Sequence, residues 1–143
     1  MSRVVVHGID HIYLSVANSA ASLAFYDRLM PFLGFEYLRR AMTVAIAAYE
    51  SRAARLTLYL TPATGGTIPV DRYRPGLHHL SLEVGSRQEV DAVHQELAAM
   101  GAEVVDPPAD YPHYRETFYT LFLSDPNGIK LEIAYRSWGD ANQ

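Results

Sequence analysis

Two stretches of the chain alternate between apolar and polar residues, and each is followed by apolar residues at helical spacing. The apolar positions of the alternation are Ile12, Leu14 and Val16 in the first stretch and Leu80, Leu82 and Val84 in the second. The polar positions between them are His11, Tyr13 and Ser15, then His79, Ser81 and Glu83. Because successive side chains on a strand point to opposite faces, each stretch predicts a strand with one apolar and one polar face.

Each predicted strand leads into a capped amphipathic helix. Ser19 and Ser86 are the predicted N-caps, and Glu89 follows Ser86 at the spacing of a capping box. The apolar positions of the two helices are Leu23, Tyr26, Met30 and Leu33, then Val90, Val93, Leu97 and Met100. Each helix is predicted to end at a glycine suited to a left-handed C-cap, Gly34 or Gly101.

Strand, cap, helix and glycine recur in the same order and at nearly the same separation, which predicts an internal repeat. Three strand-like stretches follow each helix, so the predicted plan is βαβββ twice, in the α+β class. We expect a single domain over 1–143, with module one at about 7–61, a Gly- and Pro-rich linker at about 62–76 and module two at about 77–136. A second long loop is predicted over 106–117.

Composition narrows the functional classes. The chain is 49% hydrophobic and 20% charged with a net charge of -4, which gives no electrostatic reason to expect nucleic acid or an anionic membrane as a partner. The absence of cysteine excludes disulfides, thiolate metal sites and cysteine nucleophiles. No apolar run has the length of a membrane span or of a signal peptide, and we expect a cytoplasmic protein.

Adjacent histidines in "GLHHLSLEV" cannot share one role if the strand includes both of them. His78 is predicted on the helix-packing face, partly buried and hydrogen-bonded, whereas His79 falls on the polar face. A solvated sheet surface would also explain the polar face. However, His11 and His79 occupy equivalent positions of the repeat, which favours His79 as the functional histidine.

Glu132 is the third candidate, because it lies between two apolar residues in "IKLEIAY". An isolated buried carboxylate is costly, so Glu132 is expected either on the polar face of its sheet or near a positive charge. Two imidazoles and one carboxylate from different strands suit a divalent metal with open positions for water or substrate. His11, His79 and Glu132 are therefore the candidate metal ligands.

The motifs "DHI…FY…LGF" and "DPNGIKLEI" resemble those of the vicinal oxygen chelate superfamily, which includes glyoxalase I, fosfomycin- and bleomycin-resistance proteins and extradiol dioxygenases. The resemblance implies paired βαβββ modules in a curved, barrel-like mixed sheet with the helices outside and a metal inside. It also implies ligands from the first and last strands, which match His11, His79 and Glu132. Aligning "RLTLYL" with "IKLEIAY" puts Thr57 opposite Glu132, where glyoxalase I has a carboxylate.

A threonine at that position disfavours glyoxalase I chemistry and favours a site of two histidines and one carboxylate for one Zn, Fe, Mn or Ni ion per chain. Tyrosine and histidine positions typical of extradiol dioxygenases are Phe122 and Gly65 here, which disfavours that subfamily too. The fosfomycin-modifying enzymes have a threonine where this chain has Tyr13. The superfamily is thus indicated, and its subfamily is left open.

Tyr59 and Tyr13 are candidates for proton transfer or for a hydrogen bond to the substrate, with packing as the structural alternative. The candidate substrate-binding residues are Thr57, Ser81, Tyr49, Tyr119, His113 and Arg115. Of these, Tyr119 has a register that is ambiguous by one residue. His113 and Arg115 lie on the long loop, which either closes over a ligand or is simply exposed.

The leading functional hypothesis is a metal-dependent lyase, isomerase or dioxygenase that chelates a small oxygenated substrate. The alternative is a metal-free protein that sequesters a ligand, as in the bleomycin-resistance branch, or a relative that shares only the fold. The resemblance also implies a homodimer. A complete set of two histidines and one glutamate favours the enzyme, because a metal-free binder does not need it.

Overall fold

The computed structural model describes residues 3–38, 45–66 and 68–138. The chain divides into two compact units, Met1–Thr67 and Ile68–Gln143. Each unit contains one strand, one helix and three further strands in that order, and each forms one four-stranded mixed sheet. The predicted α+β class and the two βαβββ modules are therefore confirmed.

In the first unit the order is β1 (His11–Val16), α1 (Ser19–Phe32), β2 (Glu36–Tyr37), β3 (Ala47–Ser51) and β4 (Leu56–Pro62). The sheet order is β1-β4-β3-β2, with β1 parallel to β4 and the other pairs antiparallel. Leu14 and Val16 on β1 and Leu58 and Leu60 on β4 are buried, so the apolar side of the alternation forms the core as predicted.

In the second unit the order is β5 (Leu80–Glu83), α2 (Arg87–Met100), β6 (Glu103–Asp110), β7 (Phe118–Ser124) and β8 (Lys130–Arg136). The sheet order is β5-β8-β7-β6, and β5 runs parallel to β8. Helix α2 buries Val90, Val93 and Leu97 and packs on the three longer strands of this sheet. Neither α1 nor α2, the helices of the described residues, is long and apolar enough to span a bilayer.

The helix ends agree with the sequence at α2 and differ at α1. Ser86 caps α2 by accepting a hydrogen bond from the backbone N–H of Glu89, and Gly101 closes the helix at a φ of 66°. The N-cap of α1 is Asn18, whose side chain accepts from Ala21, so the prediction of Ser19 was wrong by one residue. Asparagine and serine are about equally good caps, so two adjacent candidates cannot be separated by residue type.

Strand β6 extends into the loop that was predicted over 106–117. It reaches Asp110 through two prolines, with irregular register against β7 between Val104 and Asp106 and again between Asp106 and Ala109. Edge strands accept proline because one side of the strand makes no sheet hydrogen bonds, and bulges accommodate the lost donors. The loop itself is therefore 111–117.

Candidate metal and substrate site

The polar face of the first sheet gathers His11 with both predicted catalytic tyrosines. The rings of Tyr13 and Tyr59 stack with centroids 4.5 Å apart, and the His11 ring meets their edges at 5.6 and 5.8 Å. The Nδ1 atom of His11 lies 2.6 Å from the Asp10 carboxylate. This contact orients the imidazole and makes Nε2 the nitrogen that is available as a metal ligand.

Strand register corrects the equivalence between Thr57 and Glu132. In the first unit His11 lies opposite Thr57 and Tyr13 lies opposite Tyr59. In the second unit Ser81, which corresponds to Tyr13 in the repeat, lies opposite Glu132. The position that corresponds to Glu132 is therefore Tyr59. Thr57 and Tyr59 lie on the same face of β4. The alternation of polar and apolar residues predicts that face, but it does not predict which of the two pairs with a given residue of β1.

In the second unit His79 and Glu132 are in contact. His79 Nε2 lies 3.0 Å from Glu132 Oε2, and the Glu132 side chain is only 5% exposed. The hydroxyl of Thr120, which is fully buried on β7, lies 2.9 Å from the other carboxylate oxygen, Oε1, and 2.8 Å from the backbone carbonyl oxygen of Ile133, so these two acceptors share its one proton. Two of the three predicted metal ligands are thus brought together, with the carboxylate held at both oxygens.

His78 is not on the helix-packing face, as the alternation had predicted. Strand β5 begins at Leu80, so the two-residue period does not extend back to the histidines. His78 is exposed, its Nδ1 lies 2.8 Å from Nδ1 of His79, and its ring meets the edge of the Tyr73 ring. Desolvation lowers the pKa of His78, and electrostatic repulsion from His79, Lys130 and Arg72 lowers it further.

A cavity of about 330 Å³ opens beside Glu132 within the second unit. Its lining residues are Ser81, Glu83, Arg115, Phe118, Glu132, Ala134 and Arg136. Three predicted site residues, Ser81, Arg115 and Glu132, therefore line one space. His113, from the same loop as Arg115, instead contacts the rings of Tyr111 and Tyr114.

Tyr49 and Tyr119 were predicted to line a cavity, but both face a helix. Tyr49 is fully buried and donates a hydrogen bond of 2.7 Å to Asp27 on α1. Tyr119 donates a hydrogen bond of 2.6 Å to Asp91 on α2, which raises the pKa of the phenol above its usual value. The residue after Tyr119 on β7 is Thr120, which faces Glu132, so the tyrosine must face the other way.

The first unit has a second cavity, of about 280 Å³, at the end of β3 and the start of β4. Thr57 lines this cavity together with Glu50, whose Oε2 atom lies 3.5 Å from the Thr57 hydroxyl. Thr57 is therefore a lining residue, but of a cavity that contains neither His79 nor Glu132 among its walls.

Sequence reasoning missed Thr120, Phe118 and Arg136 as site residues. The sequence pattern could have identified Arg136, because residues 132, 134 and 136 of strand β8 share one face of the sheet. Thr120 and Phe118 lie on β7, opposite Ala134 and Arg136. Their position beside Glu132 depends on the pairing of β7 with β8, which no local pattern specifies.

The donor atoms of His79 and Glu132 fit a divalent metal. Within residues 3–38, 45–66 and 68–138, no three His, Asp or Glu side chains meet as a metal-binding group, and His79 with Glu132 form a pair. An imidazole nitrogen facing a buried carboxylate oxygen supplies donors that Zn, Fe, Mn and Ni all accept.

Comparison with known proteins agrees with this architecture. The Bacillus subtilis protein YqjT is 27% identical over 128 residues, covering 87% of this chain and 96% of YqjT. The crystal structure of a glyoxylase/bleomycin resistance protein/dioxygenase domain from Frankia sp. EAN1pec is 25% identical, with a TM-score of 0.71 over 97% of this chain and 96% of that domain.

The genomically encoded fosfomycin resistance protein FosX from Listeria monocytogenes shares the fold, with a TM-score of 0.65 at 16% identity over 94% of this chain and 97% of FosX. The family model described as Glyoxalase/Bleomycin resistance protein/Dioxygenase superfamily matches residues 8–133. Because this match runs from before β1 into β8, over most of the chain, the chain belongs to the glyoxalase/bleomycin resistance protein/dioxygenase superfamily.

Proposed function

We propose that this protein is a metal-dependent enzyme that binds a small oxygenated substrate beside Glu132. The observation that carries the proposal is the contact between Nε2 of His79 and the buried carboxylate of Glu132, a residue that lines the cavity. Superfamily membership supports it, because a divalent metal is common among such proteins.

The charge of Glu132 supports a metal at this position. A buried carboxylate is stable only when a positive charge or several hydrogen bonds compensate for lost water. Its polar partners are the Thr120 hydroxyl and the His79 ring, and neither carries a permanent positive charge. A divalent cation held between His79 and Glu132 would supply the compensation.

His11 is our proposed third ligand. Asp10 accepts the Nδ1 proton in the arrangement that metal-bound histidines commonly make with an acidic neighbour, and Nε2 is then the coordinating atom. His11 belongs to the first unit, whereas His79 and Glu132 belong to the second. The metal content of His11→Ala tests this assignment.

A divalent metal at this site would act as a Lewis acid toward a substrate that chelates it through adjacent oxygens. Ser81 and Arg115, which line the cavity, are proposed to bind and orient the substrate. Tyr59 and Tyr13 are proposed to hold or transfer a proton at a substrate oxygen. This division of labour suits lyase, isomerase or dioxygenase chemistry with Zn, Fe, Mn or Ni. A cytoplasmic homodimer is part of the same proposal.

A metal-free binding protein is the second candidate, consistent with the bleomycin-resistance proteins that the family description includes. It is favoured by one observation. In the described part of the chain, the pair of His79 and Glu132 has no third acidic or histidine partner in a metal-binding group. In such a protein the same cavity would hold a ligand without chemistry.

The deciding experiment is metal analysis of tag-free protein purified without chelators. We expect about one divalent ion per chain, lost in His79→Ala and weakened in Glu132→Gln and His11→Ala. His94→Ala, on helix α2, is the matched control and should keep the metal. If folded wild-type protein neither carries nor takes up Zn, Fe(II), Mn or Ni, the enzyme proposal is wrong and the binding protein is favoured. If only His11→Ala keeps full metal, His11 is not a ligand.

A further inference from the structure

We infer that the cavity beside Glu132 recognises an anionic group of its ligand, a carboxylate or a phosphoryl-type oxyanion, through Arg115 and Arg136. The inference rests on the proposed function, because it names the substrate class of the same site. Two guanidinium groups line a space of about 330 Å³, which suits a small molecule.

Neither arginine has an acidic partner in the described chain. Arg74 pairs with Asp71, and Arg87 pairs with Asp110. Arg115 and Arg136 make no ion pair within residues 3–38, 45–66 and 68–138, although Glu83 lines the same cavity. Their hydrogen-bond donors are therefore available to a ligand.

Arg136 is held in a geometry suited to binding an oxyanion. Its guanidinium carbon lies 3.4 Å from the centroid of the Trp138 ring, and the Trp138 indole N–H donates a hydrogen bond of 2.9 Å to Glu83. Stacking covers one face of the guanidinium and leaves its N–H groups, which lie in the plane, free to bind two oxygens at once. The Glu83 carboxylate meanwhile has a hydrogen-bond partner of its own.

The charges of the cavity favour an anion once a metal is bound. Without a metal, the guanidiniums of Arg115 and Arg136 equal in number the carboxylates of Glu83 and Glu132, so the cavity wall has no net charge, although neither arginine is ion-paired with Glu132 among the described residues. A divalent cation on Glu132 would leave this small space with a net positive charge. Phe118 and Ala134 add an apolar wall. The ligand is thus expected to have an anionic end that meets the arginines, a short carbon skeleton, and oxygens directed to the metal that Glu132 would hold.

The test uses the full chain, titrated calorimetrically with malonate and with inorganic phosphate, before and after loading with zinc. Propane-1,3-diol, a neutral compound with the same three-carbon skeleton as malonate, is the ligand control. We expect saturable binding of at least one of the two anions, tighter in the zinc-loaded protein, and none of the diol. The preferred anion distinguishes a carboxylate from a phosphoryl group.

Arg115→Gln and Arg136→Gln should each weaken anion binding about tenfold, since each removes a charged hydrogen-bond donor. Arg136→Lys should recover only part of the loss, because an ammonium cannot bind two oxygens as a guanidinium does. Arg74→Gln removes the same charge outside the cavity and should bind malonate and phosphate as wild type does. Circular dichroism should be native in every variant that is compared.

The two proposals fail in different ways. Zinc uptake without binding of either anion, or anion binding that survives both glutamine variants, would overturn the inference and leave the metal site intact. Anion binding that depends on the arginines without any zinc uptake would support the inference and contradict the metal-dependent enzyme. Diol binding as tight as malonate binding would show that charge is not recognised.

Discussion

The hydroxyl of Thr120 lies 2.9 Å from Oε1 of Glu132, across the paired strands β7 and β8. The second oxygen of the same carboxylate lies 3.0 Å from His79. Thr120 is fully buried and lies diagonally from Glu132, because its own register partner is Ala134. This threonine therefore fixes the direction in which the carboxylate presents its free electron pairs to the cavity.

Thr120→Val keeps the shape of the side chain and removes the hydroxyl. We expect a loss of about 1–3 kcal/mol in the free energy of unfolding, because Glu132 Oε1 and the backbone carbonyl of Ile133 would lose the donor that they share inside the protein. Urea unfolding followed by circular dichroism measures the change. Thr120→Ser, which keeps the hydroxyl, should recover most of the loss of the polar interaction. Equal stability of the valine variant and wild type would contradict the role assigned to this hydrogen bond.

Metal addition should raise the melting temperature of metal-free protein. A ligand that binds only the folded chain stabilises it by about 2.7 kcal/mol at one hundred times its dissociation constant, which means several degrees at this size. Differential scanning fluorimetry with Zn, Mn and Ni measures the shift. Glu132→Gln should shift much less, since an amide is a weaker ligand than a carboxylate of the same shape. A shift as large in that variant would place the metal elsewhere.

Tyr49→Phe should change how stability depends on alkaline pH. Burial raises the pKa of Tyr49 above the usual value of 10.0, and the hydrogen bond to Asp27 raises it further. The folded chain therefore holds this proton more tightly than the unfolded chain. The resulting stabilisation is complete below about pH 10 and is lost as the pH rises further.

The phenylalanine variant has no such proton, so its stability deficit at pH 7, about 1 kcal/mol for the lost hydrogen bond, should shrink above pH 10. Urea unfolding at pH 7, 9 and 11 measures the trend. Tyr114→Phe, which alters a mostly exposed ring, serves as the control. Its free energy of unfolding should change with pH in the same way as that of wild type. A deficit that stays constant across this range would refute the assignment.

Ser86→Ala should destabilise the second unit through its helix. The Ser86 hydroxyl oxygen accepts the backbone N–H of Glu89 at 3.2 Å, and the alanine variant leaves that donor without its cap. We expect a loss of about 1 kcal/mol in the free energy of unfolding, whereas Ser86→Asp should be near neutral because aspartate is an equally good cap. Equal losses in both variants would mean that the cap is not the cause.

The fold was largely predictable from the sequence because its signals are local. Alternation over β1 and β5, apolar spacing over α1 and α2, and the cap at Ser86 each involve residues only a few positions apart. The same alternation assigned His11 and Tyr13 to the polar face of the first sheet. The choice of Glu132 followed from a charge placed among apolar residues.

Properties that depend on pairing between strands required the tertiary structure. The register of β1 with β4 makes Tyr59, not Thr57, the counterpart of Glu132. The pairing of β7 with β8 brings Thr120 to the carboxylate, and the cavity joins Arg115 to Arg136. A period of two residues fixes which face a side chain occupies. The neighbours that it meets on that face are set by hydrogen bonding between segments far apart in the chain, and no local pattern encodes them.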